Sequence, residues 1–99
     1  MSNENSEKTG EQLQTLRCEI DDVDSQIATL LSRRHQIVIE IGKLKHATGV
    51  QVYDDARERF VLERVAAKGH DAKGAKFIRD IYEHIMAGSR AVQADDSEG

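Results

Sequence analysis

Beginning at Leu13, aliphatic residues recur at every seventh position in two interleaved series. One is Leu13, Ile20, Ile27 and Ile41; the other is Leu16, Val23, Leu30, Ile37 and Leu44. No other feature constrains the fold as strongly. An apolar heptad sustained this far describes one long helix with a single seam that has to be covered. The slot that completes the first series holds Arg34. A guanidinium buried there without a partner is strongly unfavourable, so something anionic has to meet it. Arg17 and Lys45 flank the same seam, and Asp24 is the one acid on their flank. The seam reads as built to hold a small anion.

Length turns this helix into a quaternary argument. The heptad runs from about Glu11 to His46, and a helix of about 35 residues is roughly 50 Å long. The whole chain has 99 residues, enough for one small domain. A compact monomer of that size has a radius of gyration near ~13 Å, so the helix would protrude far beyond it. Two short helices of the same chain cannot cover all of the seam, and a homodimer pairing long helices is the economical solution. The cations agree. Arg34 and Lys45 are separated by roughly 16 Å along the axis, close enough for two long side chains to close on a dianion. Arg17 is roughly 25 Å from Arg34, too far to join in one straight helix. An antiparallel partner would carry its own Arg17 toward Arg34, giving two equivalent sites.

The rest of the chain supports an all-α architecture of three helices. Proline is absent, aromatics are 4% and charged residues 32%. Gly42 lowers helix propensity near the end of the first helix, and Ala47-Thr48-Gly49 stops it. Val50 to Tyr53 is a short extended connector. A second helix begins at Asp54 or Asp55, with Asp55 and Glu58 in capping-box spacing. Phe60, Val61, Leu62 and Val65 supply its buried face, and Gly69 its stop. Asp71 caps a third helix whose stripe is Phe77, Ile78, Ile81, Tyr82, Ile85 and Met86. Helical spacing continues that stripe to Ser89 and Gln93, a polar pair on one face. Residues 1–10 and 94–99 are polar and read as disordered tails around a single domain spanning 11–93.

Several functions are disfavoured. The net charge of −4, with no basic run, argues against nucleic acid. No stretch is apolar enough to span a membrane, and the N-terminus lacks a signal-peptide core, so a cytoplasmic location is expected. Cys18 is the only cysteine, and His35, His46, His70 and His84 have no ligand spacing; no metal site is expected, and the histidines read as surface residues. Each remaining polar residue has a plain reading. Arg34 could fix helix register; Asp54, Arg57 and Glu58 suit a helix N-terminus; helix ends such as Ser89–Gln93 often turn polar. Three cations on one face without matching acids favour a ligand.

Taken in order, these residues resemble the small all-helical chorismate mutases. The resembling elements are LRCEIDDVD (Leu16 to Asp24), LLSRR (Leu30 to Arg34), Ile41-Gly42-Lys43 with Lys45, VYDDARE (Val52 to Glu58), and SRAVQ (Ser89 to Gln93). The resemblance implies an intertwined homodimer of three-helix chains that converts chorismate to prephenate by an intramolecular Claisen rearrangement, with no cofactor. It also implies roles. Arg34 and Arg17 of the partner subunit would hold the two substrate carboxylates. Lys45 would bond a carboxylate and the ether oxygen whose bond breaks, and Gln93 would donate to the same oxygen. Ser89 would assist a carboxylate, Asp54 and Glu58 would take the ring hydroxyl, and Arg57 would add positive charge or orient Glu58. Gln51 stands where relatives often have proline, and Tyr53 has no derived role. The rival readings are an isochorismate pyruvate lyase or aminodeoxychorismate mutase on the same scaffold, and a helical dimerisation module without catalysis.

Overall fold

The computed structural model describes residues 2–95, with side chains from Glu4 onward. Among these residues all regular secondary structure is helical: α1 (Ser2–Thr48), α2 (Asp55–Ala66) and α3 (Ala72–Asp95). The chain divides into two units within α1, after Arg34.

The first unit is the stretch of α1 up to Arg34. Residues 2–10, which the sequence suggested as a disordered tail, continue the helix instead. They contain no proline, and their Glu and Lys residues are good helix formers, so nothing local stops it. Residues 94 and 95, placed in the C-terminal tail by sequence, are the last of α3; residues 96–99 of that tail lie outside those described. The seam residues of this unit, from Leu13 to Leu30, are all exposed, Leu30 by 61%.

The second unit comprises the rest of α1 with α2 and α3. Its enclosed apolar residues come one from each helix: Val38, Val61 and Met86. α1 turns Val38, Gly42 and Lys45 inward, a line spaced four and three residues apart as one helical face requires. The heptad residues beside them, Ile37, Ile41 and Leu44, stay exposed. The line α1 uses within its own chain is therefore displaced from the heptad seam.

Capping explains where each element ends. Gly49 adopts φ +75°, and the Val50 N–H donates to the Lys45 carbonyl at 3.0 Å. That is the long closing bond of a Schellman motif, which needs a residue able to adopt the left-handed region. α2 is capped by Asp54, whose carboxylate accepts from the Arg57 N–H at 3.0 Å. The capping box expected from Asp55 and Glu58 is thus replaced by a cap one residue earlier. Asp71 caps α3 as expected, accepting from the Gly74 N–H at 2.7 Å. Gly69 has no positive φ, so it does not end α2 by the left-handed route. A Cβ there would lie 2.3 Å from the Ala75 nitrogen, and the close approach of the turn to α3 is what excludes a side chain.

α2 and α3 pack against each other as an antiparallel pair. The 67–71 turn joins one end, and Glu58 near the start of α2 meets Arg90 late in α3 at the other. Phe60 and Phe77, expected in the apolar faces, are 53% and 64% exposed. Each is followed directly by a more enclosed residue, Val61 or Ile78, and the step of about 100° between neighbours leaves the phenylalanine at the edge of the covered face.

Candidate active site

The last turn of α3 brings a polar side chain into the second unit's interior. Gln93 is 8% exposed, and its Oε1 is buried with no hydrogen-bond partner among the described residues. Buried amide oxygens nearly always have a partner, which makes Gln93 a candidate site residue. Gln93 lies against α1 at Gly42, where an added Cβ would come within 3.2 Å of the Gln93 Cα. Its backbone carbonyl accepts a hydrogen bond from His46 Nε2 at 2.8 Å.

One turn of α1 from Gly42, the half-buried Lys45 donates from Nζ to the Val52 carbonyl at 2.9 Å. This bond ties the connector to the helix and uses one of the ammonium's three N–H groups. At the other side of Gln93, Arg90 sits three residues earlier on α3 and forms an ion pair with Glu58 of α2. The pair is shielded unevenly: the Glu58 side chain is 16% exposed and that of Arg90 38%. Arg90 also lies over the Tyr53 ring, 5.3 Å from its centre, a cation–π arrangement. Arg57 is engaged elsewhere. Its guanidinium lies over the exposed Phe60 ring at 5.6 Å, with Arg64 at 5.8 Å from the same ring.

The second unit thus holds three local contacts: Lys45 on the connector, Gly42 against Gln93, and Arg90 with Glu58. Comparison with known proteins matches residues 16–94 to the family described as chorismate mutase type II. The chain belongs to that family.

Three relatives show how its members are built. A chorismate mutase of Methanocaldococcus jannaschii is 27% identical over 82 residues, covering 78% of this chain and 83% of that protein. The T-protein of Haemophilus influenzae is 33% identical over 76 residues, which is 77% of this chain and 19% of the T-protein. An intracellular chorismate mutase of Mycobacterium tuberculosis is 39% identical over 62 residues, 63% of this chain and 59% of that protein. This chain therefore spans about a fifth of the T-protein's length and most of the Methanocaldococcus chorismate mutase.

The family match begins just before Arg17 and ends just after Gln93, so every candidate residue falls inside it. Arg17, exposed, and Arg34, half-buried, lie on α1 in the first unit. Lys45, Asp54, Arg57, Glu58, Ser89 and Gln93 lie in the second. Asp54 is engaged as the cap of α2, and the Ser89 hydroxyl donates to the Ile85 carbonyl at 2.9 Å. Sequence reasoning overlooked Arg90 and His46. The signal for Arg90 was its position three residues before Gln93 on α3. His46, read as a surface residue, does have an exposed ring, but it lies four residues beyond Gly42 on the α1 face that meets α3. The connector has its own electrostatics: the Tyr53 hydroxyl donates to Asp55 at 2.9 Å, and that carboxylate holds the phenol above its ordinary pKa. Among the described residues, no group of three or more His, Cys, Asp or Glu is gathered where it could hold a metal ion.

Proposed function

We propose that this chain is a chorismate mutase acting as a cytosolic homodimer. The observation that carries the reading is the buried Gln93 amide with its oxygen unpartnered, packed on Gly42 one turn from Lys45 in a chain of this family. In the rearrangement an ether C–O bond breaks as a C–C bond forms within one molecule, and negative charge gathers on the ether oxygen. The enzyme moves no proton and forms no covalent bond. Its task is to hold the reactive conformer and meet the developing charge with fixed donors, which a site sheltered from water does better than water does.

Lys45 has two further N–H groups for a carboxylate and the ether oxygen. A half-turn about the last side-chain bond of Gln93 puts its NH2 where the unpartnered oxygen now lies, aimed at the same atom. Glu58, steadied by Arg90, and Asp54 take the ring hydroxyl, Ser89 assists a carboxylate and Arg57 adds positive charge. Arg34, and Arg17 of the partner subunit, take the two carboxylates. A millionfold acceleration requires roughly 8 kcal/mol, within the reach of two donors to the ether oxygen plus conformational selection.

The exposed seam supports the dimer. Its aliphatic residues, from Leu13 to Leu44, are 41–65% exposed in the single chain, and covering what remains is worth about half of the roughly 1.5–3 kcal/mol that full burial of such a side chain contributes. Among the described residues no helix is long and apolar enough to cross a membrane.

The test is loss of chorismate absorbance with purified protein and no additives, run beside isochorismate and the amino analogue. Turnover of chorismate alone, nearly flat across neutral pH, is the expected result. A steep bell-shaped profile would contradict a mechanism without proton transfer. Turnover of isochorismate or the amino analogue instead would reassign the reaction, and none at all would favour a non-catalytic dimerisation module.

A further inference from the structure

Gln93 occupies an awkward place for a residue that needs a fixed side chain. It lies in the last turn of α3, which runs to Asp95, and among the described residues no N–H of the same helix is placed to pair with its carbonyl. A terminal turn held only by its own bonds frays, and a donor that swings loses the advantage of preorganisation. In this chain the missing partner comes from α1. His46 Nε2 meets the Gln93 carbonyl at 2.8 Å. A carbonyl only accepts, so this ring nitrogen carries the hydrogen. It does so in the Nε2–H neutral tautomer and in the imidazolium, and the bond therefore persists in both protonation states.

The approach that makes this bond possible depends on Gly42, one turn earlier on the same face of α1. A Cβ there would stand 3.2 Å from the Gln93 Cα, 3.3 Å from its Cγ and 3.4 Å from its Cβ. Glycine is a poor helix former, and its place inside α1 is explained by the space it leaves for Gln93. Space at one position and a donor at the next turn together seat the end of α3. The seat grips the backbone of Gln93 and leaves its amide available.

We infer that His46, working with the gap at Gly42, is a positioning residue for the Gln93 amide: it holds the last turn of α3 so that this side chain keeps its aim at the reacting oxygen. This rests on the proposed role of Gln93 as a donor to the ether oxygen. His46 does not touch substrate. Its loss misplaces a donor without removing one, and misplacement by about 1 Å can cost on the order of 10²-fold in rate.

Kinetics on chorismate with the full-length chain separate positioning from general support. In His46→Leu, kcat should fall about tenfold or more with KM nearly unchanged, because the carboxylate contacts are intact. His46→Gln, which offers an amide N–H at comparable reach, should recover most of the loss. Gly42→Ala should lower kcat while improving helix propensity, so a fall in activity without a fall in melting temperature is expected; it also serves if His46→Leu does not fold. In a Gln93→Ala background, His46→Leu should cause no further loss of kcat, since the residue it positions is gone. The inference is overturned if Gln93→Ala is impaired while His46→Leu keeps wild-type kcat, or if the two losses multiply. If wild-type protein converts chorismate but Gln93→Ala is as fast, the role of Gln93 fails and the inference with it. If wild-type protein does not convert chorismate, the proposed function itself fails.

Discussion

Two lines of residues run side by side along the C-terminal part of α1. Ile37, Ile41 and Leu44 belong to the heptad and are exposed; Val38, Gly42 and Lys45 are outside it and are buried or half-buried, Gly42 against α3 and Lys45 on the connector. The large, regular hydrophobic pattern is thus left exposed in the single chain, while the inward line holds one valine, a missing side chain and a lysine, with His46 bonded to α3 beside it. The regularity that makes the heptad easy to see is what a repeated helix–helix contact requires. The contact with α3 is local instead, a gap at Gly42 and a hydrogen bond from His46 one turn later. On the reading proposed above, the contrast separates two functions of one helix: the first line would serve association, the second the site.

The sharpest way to break this comparison is to charge each line in turn. Ile41→Glu places a carboxylate in the seam and should dissociate the dimer, with at least ~100-fold loss of activity if each site takes an arginine from both chains. Light scattering coupled to size exclusion should show a monomer. Val38→Ala, on the inner line, should cost about 2 kcal/mol of stability by thermal unfolding and leave the oligomeric state unchanged. If Ile41→Glu keeps its mass and activity, the seam is not the interface.

A complementation experiment tests the same claim through the cations. Arg17→Ala and Arg34→Ala homodimers should each lose on the order of 10²–10³-fold in activity. Refolded together in equal amounts, about half the dimers are mixed, and each mixed dimer has one intact site and one with both defects. Recovery should approach roughly a quarter of wild-type activity. No recovery, with mixed dimers verified by native mass spectrometry, would rule out a cross-chain arginine.

A smaller effect tests the ion pair between α2 and α3. Arg90→Met keeps the stem but releases Glu58, and should lower kcat/KM about tenfold. Arg57→Met removes a guanidinium that lies on an exposed ring and should cost less. The reverse order would return the orienting role to Arg57 and detach Arg90 from the site.

The three helices were legible because their signals are local. The heptad, Asp71 and Gly49 each act within a few residues, and each acts as its chemistry suggests. Errors arose where neighbouring residues compete. Asp54 and Asp55 both offer a carboxylate, and the extended backbone at Asp54 decides which one caps α2. Phe60 and Phe77 are as apolar as their neighbours, but only packing chooses which of two adjacent residues turns inward. The candidate polar residues could be picked out by helical face and resemblance. Their supports could not, because Arg90 reaches Glu58 only through the antiparallel register of α2 with α3, and His46 reaches Gln93 only across forty-seven residues of chain. A residue that binds is marked by its own oddity; one that positions is marked by its neighbour's.

The smallest expected effect lies in the connector. Tyr53 donates to Asp55, and Arg90 lies on its ring. The hydrogen bond to a carboxylate favours the protonated phenol, and the nearby negative charge of Asp55 adds to the effect, so the folded-state pKa is raised. A raised pKa means that this contribution to stability is fully present below the ordinary tyrosine range near pH ~10 and is lost as pH rises through the folded value. Wild type and Tyr53→Phe should therefore differ by a constant amount across neutral pH and converge only in strong alkali. The effect should be small, because both partners are exposed and solvent screens them. Ultraviolet titration of the phenolate checks the cause: Asp55→Asn should bring the Tyr53 midpoint down toward the ordinary range. If the midpoint does not move, Asp55 is not what holds the phenol, and the connector's link to the Arg90–Glu58 pair runs through the stacked guanidinium alone.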